Sequence, residues 1–341
     1  MTVLRVRHWS LRFRLRALLV GLGCVLATLA LGVISVGGGD YPMSPAAVLR
    51  TLTGGGTVAE NFIIGELRLP RLVTAMAVGA ALALGGAVLQ ALVRNPLGSP
   101  DILGVTQGAA TGALIVVVVG GSTLALAGAA VLGGLATGVL LWVVAWARGA
   151  HGQRLILAGI GVAAILTGVN GWLLTRGELM DAARGVLWLT GSLDGRGWAQ
   201  AVPVVATLAV LTPLVLLACG PALRMTELGD DTAAALGVPI RRLRTALLVA
   251  SVLLVSVAAS AAGPVNFVAL TAPHLARRLT RAPGPNLAAA MALGAALLVA
   301  ADLLAQRTFS GHQLPVGVVT GLLGGGYLVW LLATERRAGR L

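Results

Sequence analysis

Lysine is absent from the 341-residue chain, so all 25 of its basic residues are arginines. A Walker-type P-loop needs a lysine on the nucleotide phosphates, and Schiff-base catalysis needs a lysine amine. The missing lysine therefore excludes both ATP hydrolysis through a Walker motif and covalent amine catalysis by this chain.

Charged residues of either sign are also scarce. Only 11% of the residues are charged and 57% are hydrophobic, whereas a soluble domain has about a quarter of its residues charged. One soluble core cannot hide that much apolar surface from water. The composition excludes a soluble enzyme and predicts an all-α polytopic membrane protein. It also leaves no soluble basic domain for binding nucleic acid.

Cysteine and histidine are too few and too scattered to form a metal centre. Cys24 and Cys219 lie in apolar runs without a C-x-x-C motif, which argues against a disulfide framework or a thiolate site. The four histidines lie far apart, and none adjoins a carboxylate cluster. We expect no metal site, no cofactor and no catalytic residue in this chain.

Apolar stretches long enough to cross a bilayer recur along the whole sequence. They predict about ten helices in a single transmembrane domain over residues 1–341. An external loop is expected at residues 37–67 and a cytoplasmic segment at 224–242. The predicted helices lie near residues 17–36, 71–93, 101–120, 124–147, 154–175, 199–219, 243–262, 266–280, 287–306 and 315–333.

The arginines indicate how these helices are oriented. With both chain ends in the cytoplasm, 18 arginines fall inside and 7 outside, as the positive-inside rule requires. The first apolar run follows five arginines and resembles a signal peptide. Because further spans follow it, we interpret it as an uncleaved first helix.

Small residues recur every four positions in several of the predicted helices. Such stripes let helix backbones approach closely in lipid; the alternative is a pore lined by small residues. Three stripes stand out: Gly79, Ala83, Ala87 and Ala91; Gly159, Ala163, Thr167 and Gly171; and Gly317, Gly321 and Gly325.

Two polar residues at membrane depth are candidate functional groups. Asp302 is predicted to be the only carboxylate deep in a span, and such an acid suggests a functional site. It is either a proton or cation site, as in a secondary transporter, or the partner of Gln306 or Arg307 one turn along. His274 is interpreted as a packed or interfacial histidine.

The cytoplasmic segment carries the signals of short helices. Thr226 or Asp230 is a candidate helix cap, and Gly237 followed by Pro239 predicts a helix end. A short helix of mixed charge between two spans suits docking by a cytoplasmic partner; the alternative is a solvated connecting loop.

Several motifs occur in the order found in one family. The motifs include Glu66-Leu-Arg-Leu-Pro-Arg71, Arg94-Asn-Pro-Leu-Gly-Ser-Pro-Asp-Ile-Leu-Gly104, Trp188-Leu-Thr-Gly-Ser-Leu193, Leu236-Gly-Val-Pro-Ile-Arg-Arg-Leu-Arg244, Ala262-Gly-Pro-Val-Asn-Phe-Val-Ala-Leu-Thr-Ala-Pro-His274 and Leu314-Pro-Val-Gly-Val-Val-Thr320. With these motifs the chain resembles the FecCD-type permeases of bacterial ABC importers, which carry ferric siderophores, haem or cobalamin.

This resemblance implies a multi-pass subunit of the bacterial cytoplasmic membrane with ten spans. It implies a dimer of permeases, a separate cytoplasmic subunit that binds and hydrolyses ATP, and an extracytoplasmic substrate-binding protein. The expected substrate is a ferric siderophore, with cobalamin or haem as the alternative. A proton-coupled secondary transporter using Asp302 is the alternative from another class. Whether the dimer contains two copies of this chain or a homologue stays open.

The resemblance also assigns roles to individual residues. It implies binding-protein docking by Arg68, Arg71 and Arg307, and an inner gate at Asn95, Pro96 and Leu97. The chain departs from the usual family pattern at Gln306 and Gln313, where Arg and Glu are common. The residues implied in coupling to the ATPase are Thr226, Glu227, Leu228, Gly229, Asp230, Asp231, Leu236 and Gly237.

Overall fold

The structure is a computed structural model that describes residues 2–6, 9–39, 41–146, 152–309 and 313–337. In these residues a β-hairpin precedes a bundle of helices. The hairpin consists of β1 (Thr2–Val6) and β2 (Trp9–Phe13), and the helices are α1 (Leu15–Gly37), α2 (Pro45–Leu52), α3 (Val58–Phe62), α4 (Leu69–Val93), α5 (Val105–Val119), α6 (Thr123–Leu141), α7 (Gly152–Arg176), α8 (Leu179–Leu189), α9 (Trp198–Pro213), α10 (Gly220–Met225), α11 (Asp230–Ala235), α12 (Ile240–Ala262), α13 (Val268–Thr280), α14 (Leu287–Arg307) and α15 (Val316–Arg337).

All ten predicted spans correspond to helices. Among the described residues, seven helical stretches are long and apolar enough to cross a membrane, and the helical segments Val105–Val119 and Val316–Leu331 are shorter apolar ones. The predicted eighth span, α13, has 13 residues and is about 20 Å long, less than a bilayer core. It does not span a membrane alone, and irregular backbone at residues 263–267 precedes it.

Three local elements differ from the prediction. The N-terminal residues pair as an antiparallel hairpin with Thr2 opposite Phe13, in a segment where apolar residues alternate with arginine as in a strand. The predicted external loop contains α2 and α3, each started by a side-chain cap from Ser44 or Thr57. Helix α8 lies in what the sequence suggested was a connection.

The second span begins earlier than the predicted residue 71. The helical run is continuous from Val58 to Val93 and passes through a π-helical stretch, Ile63–Arg68. There the Leu69 N–H donates to the carbonyl of Ile64, five residues back. Pro70 has no N–H, so the wider turn adapts the hydrogen-bonding pattern just before it. In soluble proteins a proline often marks the start of a helix, but here Pro70 lies inside a continuous helical run.

Helix α4 forms the centre of the bundle. In its most apolar stretch 78% of residues are buried, and the corresponding value is 72% for α12 but 17% for α7. Gly79 of α4 faces Gly294 of α14 so closely that a Cβ on either would collide with the other backbone. Close packing, the first interpretation of the Gly79 stripe, is thus confirmed.

Contacts between connections define two ends of the bundle. Arg16 at the start of α1 donates to the carbonyl of Leu279, and Arg94 donates to the carbonyl of Thr226. We call this arginine-rich end the inner end, following the positive-inside rule. Arg307 and the last turn of α1 meet at the opposite, outer end.

Candidate functional site

A buried ion pair lies near the outer end of the bundle. The Arg71 guanidinium of α4 meets the Asp302 carboxylate of α14 side-on, with Nη2 at 2.9 Å from Oδ1 and Nε at 3.1 Å from Oδ2. The side chains are 15% and 4% exposed. A bidentate, charge-assisted contact of this kind is strong and directional. It joins the two helices whose backbones meet at Gly79 and Gly294.

Two amides and a second acid complete this cluster. Gln306 Nε2 donates to Asp302 Oδ2 at 2.7 Å, and Arg71 Nη1 donates to Gln313 Oε1 at 2.7 Å. Asp194 Oδ1 lies 3.4 Å from the same Nη1 and is mostly exposed. The chain thus places amides where it departs from the family pattern, and both amides bind the ion pair.

The predicted partners of Asp302 are correct in one of two cases. Gln306 contacts the carboxylate as expected, but Arg307 points to the carbonyl of Ile34. Arg71, the main partner, was expected in docking only. The signal in the sequence was electrostatic, because a carboxylate at membrane depth requires a cation and Arg71 begins its span at the same end. With both carboxylate oxygens bonded, the geometry favours a structural role for Asp302.

Arg68 and Arg307 both bind the last turn of α1. Arg68 Nη1 donates to the carbonyl of Val36 at 2.7 Å and Arg307 Nη2 to that of Ile34 at 3.2 Å. The Ile34 carbonyl also accepts the N–H of Gly38, the residue after α1, so Arg307 is a second donor there, and both guanidinium groups complement the negative end of the helix dipole. Arg307 is exposed and Arg68 is half-buried. The structure therefore brings the three predicted docking arginines to one end, with Arg71 the most enclosed.

At the inner end, one carboxylate holds three elements together. Asp230, the first residue of α11, accepts from Arg94 Nη2 through Oδ1 and from Arg244 Nη2 through Oδ2, both at 2.6 Å. Arg94 ends α4 in the left-handed conformation, and Arg244 lies in the first turns of α12. The clamp formed by Arg94, Asp230 and Arg244 links α11 directly to two core helices.

The segment around this clamp presents a solvent-facing surface. Leu228 and Leu236 are 67% and 60% exposed, whereas Ala233 between them is fully buried and anchors α11. Gly237 has a φ of 86° and ends α11 as predicted. The predicted caps are wrong: Gly229 precedes α11, Asp230 bonds the arginines, and Thr226 Oγ1 donates to the carbonyl of Leu223. The caps fail because the two side chains have stronger tertiary or local partners.

A cavity of about 410 Å³ opens beside the inner end of α4, and Asn95 and Pro96 of the predicted inner gate line it. Leu97, the third predicted residue, is 49% exposed outside that lining. Asn95 Oδ1 accepts the backbone N–H of Leu97 at 2.9 Å, which fixes the turn. Two of the three predicted gate residues thus border one space.

Sequence reasoning missed two polar residues, Gln90 at this cavity and Asp101 in the connection beyond it. Gln90 is 2% exposed; it donates to the carbonyl of Leu270 and accepts from Arg277 Nη2 at 2.6 Å. Asp101, in the connection before α5, accepts from Thr106 Oγ1 at 2.6 Å and from the backbone N–H of Phe267. Asp302 is therefore not the only acid with partners on a distant element.

His274 packs against the last helix. Its Nδ1 lies 2.6 Å from Tyr327 Oη, and the two rings meet edge to face with centroids 5.9 Å apart. Arg278 of the same helix stands over the Trp330 ring at 5.6 Å. Within the described residues, no group of three or more His, Cys, Asp or Glu side chains is placed to hold a metal ion.

The FecCD transport family matches residues 27–334, nearly the whole chain. The chain belongs to this family. FecCD proteins are permease subunits of ABC importers and are not enzymes, so the predicted class and the multi-pass location in the bacterial cytoplasmic membrane are confirmed. Membership implies a separate ATPase, a binding protein and a dimeric permease as partners.

Similar proteins cover the chain almost end to end. The ferric enterobactin transport system permease protein of Escherichia coli (strain K12) is 42% identical over 329 residues, 96% of this chain and 98% of that protein. A vitamin B12 import system permease protein of Klebsiella pneumoniae is 34% identical, over 93% of this chain and 94% of that protein.

A solved structure also resembles this chain over nearly its whole length. It is described as an inward-facing conformation of a metal-chelate type ABC transporter. It is 28% identical to this chain, matches it with a TM-score of 0.82, and covers 92% of this chain and 99% of its own.

Proposed function

We propose that this FecCD permease carries a ferric siderophore across the cytoplasmic membrane. The similarity to the ferric enterobactin permease, 42% over 96% of the chain, is the observation that carries this proposal. An achromobactin transport permease of Dickeya dadantii is 39% identical over 318 residues. A chelated iron keeps its own ligands, so this proposal needs a wide passage and no metal site in the chain.

The outer end is the proposed docking site for a loaded binding protein. Arg307 and Arg68 present positive charge around the end of α1, and acidic side chains on the partner would pair with them. Arg71 has a different part in this proposal. Because its guanidinium is bound to Asp302 and Gln313, it acts by holding α4 and α14 at the docking surface.

The inner end is the proposed docking site for the ATPase. Leu228, Leu236, Glu227 and Asp231 are exposed on the segment from Thr226 to Gly237, and they suit a partner groove of mixed character. The clamp of Arg94, Asp230 and Arg244 makes this segment rigid toward α4 and α12. Movement of the ATPase therefore reaches the core helices and the Asn95–Pro96 turn of the inner gate. ATP is bound and hydrolysed by the partner, and this chain needs no cofactor.

A second permease is proposed to pack against α7 and α15. Gly171 of α7, and Gly321 and Gly325 of α15, have nothing within 4 Å of an added Cβ. Trp172 and Leu322 are 54% and 73% exposed nearby. Small residues beside large apolar ones are typical of helix association in membranes. Whether the second copy is this chain or a homologue is decided by co-purification of differently tagged copies.

Uptake in a deletion strain tests the substrate. Loss of ATP-dependent uptake of labelled ferric siderophore, with cobalamin uptake intact, is the expected result. Loss of cobalamin uptake alone would replace the substrate with the one named by the Klebsiella relative, which at 34% identity makes cobalamin the second candidate. ATP depletion must abolish uptake, and an uncoupler must leave ATP-driven uptake in sealed proteoliposomes unchanged.

A further inference from the structure

A second cavity, of about 500 Å³, lies at the outer end between α6, α9 and α12. Its volume is within the range of about 300–1,000 Å³ that is usual for small-molecule sites. Thr123, Arg196 and Gln200 lie at its outer mouth, and Ala127, Val131 and Pro203 continue its walls. Thr207, eight residues after Ala199 on α9, also lines it, so the groove is about 12 Å deep. It is separate from the docking arginines and from the inner cavity.

Arg196 brings an incompletely paired charge to the mouth. Its Nε donates to the carbonyl of Ser192 at 3.2 Å. Among the described residues its two terminal NH2 groups have no hydrogen-bond partner, and no carboxylate lies within 4.0 Å of the guanidinium. Burial lowers the pKa of Arg196, and Asp194 only partly opposes this effect. A guanidinium in this setting favours an anionic ligand.

Other donors converge on the same mouth. Helices α6 and α9 both begin there, so the positive ends of their dipoles face the guanidinium region. Gln200 Oε1 already accepts from the Gly197 N–H, so the group that Gln200 can offer to an anion is its Nε2 donor. An anion at the mouth therefore meets one full positive charge and two partial ones.

Below the mouth the lining is mostly apolar, because the hydroxyls of Thr207 and Ser260 donate to carbonyls of their own helices. Leu124, Ala127, Val131 and Val257 line the groove, and Leu124 is 83% exposed. A free inorganic anion gains nothing from these walls, whereas a hydrocarbon chain does. The groove has a cation at its outer mouth and an apolar channel toward the membrane centre. An anionic phospholipid matches this arrangement, because its charged phosphate precedes its acyl chains.

We propose that this groove binds one anionic phospholipid of the outer leaflet, with its phosphate on Arg196 and an acyl chain between α6 and α9. The lipid would fill the space between peripheral helix α9 and the core. Only 11% of residues in the most apolar stretch of the α9 span are buried in the protein, so a bound lipid would supply packing there.

Native mass spectrometry of the purified full-length chain tests the proposal with palmitoyl-oleoyl phosphatidylglycerol and phosphatidylcholine as probes. We expect Arg196→Gln to weaken phosphatidylglycerol binding about tenfold. Arg184→Gln is the matched control, because Arg184 lies at the same end, is 73% exposed and is paired with Asp181. That control should bind as the unchanged chain does.

A second variant blocks the groove without removing charge. A Cβ on Gly128 meets nothing within 4 Å, so Gly128→Leu fits the helix and projects into the cavity, and it should abolish the bound lipid. Gly23→Leu, at another open glycine, is its control. Equal phosphatidylglycerol binding by the Arg196 and Gly128 variants and the unchanged chain overturns the proposal. The proposal is also overturned if the unchanged chain retains phosphatidylcholine as well as it retains phosphatidylglycerol, or if millimolar inorganic phosphate displaces the lipid.

Discussion

Arg71 and Asp302, 231 residues apart, form a side-on pair in which two guanidinium nitrogens face both carboxylate oxygens. The pair lies about two helical turns from the close crossing of α4 and α14 at Gly79 and Gly294, and Gln306 donates a further hydrogen bond to it. Arg71, for which the sequence motif predicts a docking role, is thus the counter-ion of the buried acid. The Arg71 side chain thus connects the outer end of the bundle to the buried contact between α4 and α14.

Removing one member of this pair should be costly. Asp302→Ala leaves the enclosed Arg71 with only the exposed Asp194 as an acidic partner, and we expect a loss of about 3 kcal/mol of unfolding free energy. Unfolding in detergent measures it. Asp181→Ala breaks an exposed pair with Arg184 and should cost at most about 0.5 kcal/mol. A double variant of Arg71 and Asp302 that is no less stable than Asp302→Ala alone would confirm the coupling; equal costs for Asp302→Ala and Asp181→Ala would disprove it.

Two adjacent acids at the inner end, one inside the clamp and one outside it, allow a matched comparison. Asp230 binds Arg94 and Arg244, whereas the adjacent Asp231 is exposed and makes no ion pair among the described residues. Asp230→Ala should reduce ATP-driven uptake about tenfold, about 1.4 kcal/mol of coupling. Asp231→Ala should change it little. Uptake and ATPase activity in proteoliposomes would both be measured, and equal effects of the two substitutions would remove the clamp from the mechanism.

The glycine crossing of α4 and α14 predicts a steric effect. Gly79→Leu forces the two helices apart because its Cβ meets the Gly294 backbone. We expect a loss of more than about 2 kcal/mol in stability. Gly168→Leu, at an open glycine of α7, is the control for the composition change. A melting temperature unchanged by Gly79→Leu would contradict the close approach.

The outer arginines predict an electrostatic effect on docking. Arg307→Glu should weaken binding of the loaded binding protein, and more at low than at high salt, because exposed charges are screened. Arg184→Glu, an equal charge change on α8, should have a much smaller effect. Affinity would be measured by surface plasmon resonance at two salt concentrations. A salt-independent or absent effect of Arg307→Glu would exclude it from the docking surface.

The sequence by itself determined the class of the protein and the position of most of its helices, although α13 is too short to span a membrane alone. Hydrocarbon offers the backbone no hydrogen bonds, so membrane segments are helices whose length and composition can be read directly. The end of α11 could also be predicted from the local sequence, because the left-handed backbone conformation at Gly237 favours glycine. The motif order was also sufficient to indicate the FecCD family.

Only the tertiary structure decided which polar groups meet. Asp302 pairs with Arg71, Asp230 with Arg94 and Arg244, and Gln90 with Arg277, each across different elements. The sequence specifies charges and helices, but many alternative pairings satisfy the same charges. The choice depends on helix crossings set by backbone approach, such as Gly79 against Gly294, which bring some distant side chains within hydrogen-bonding range and separate others.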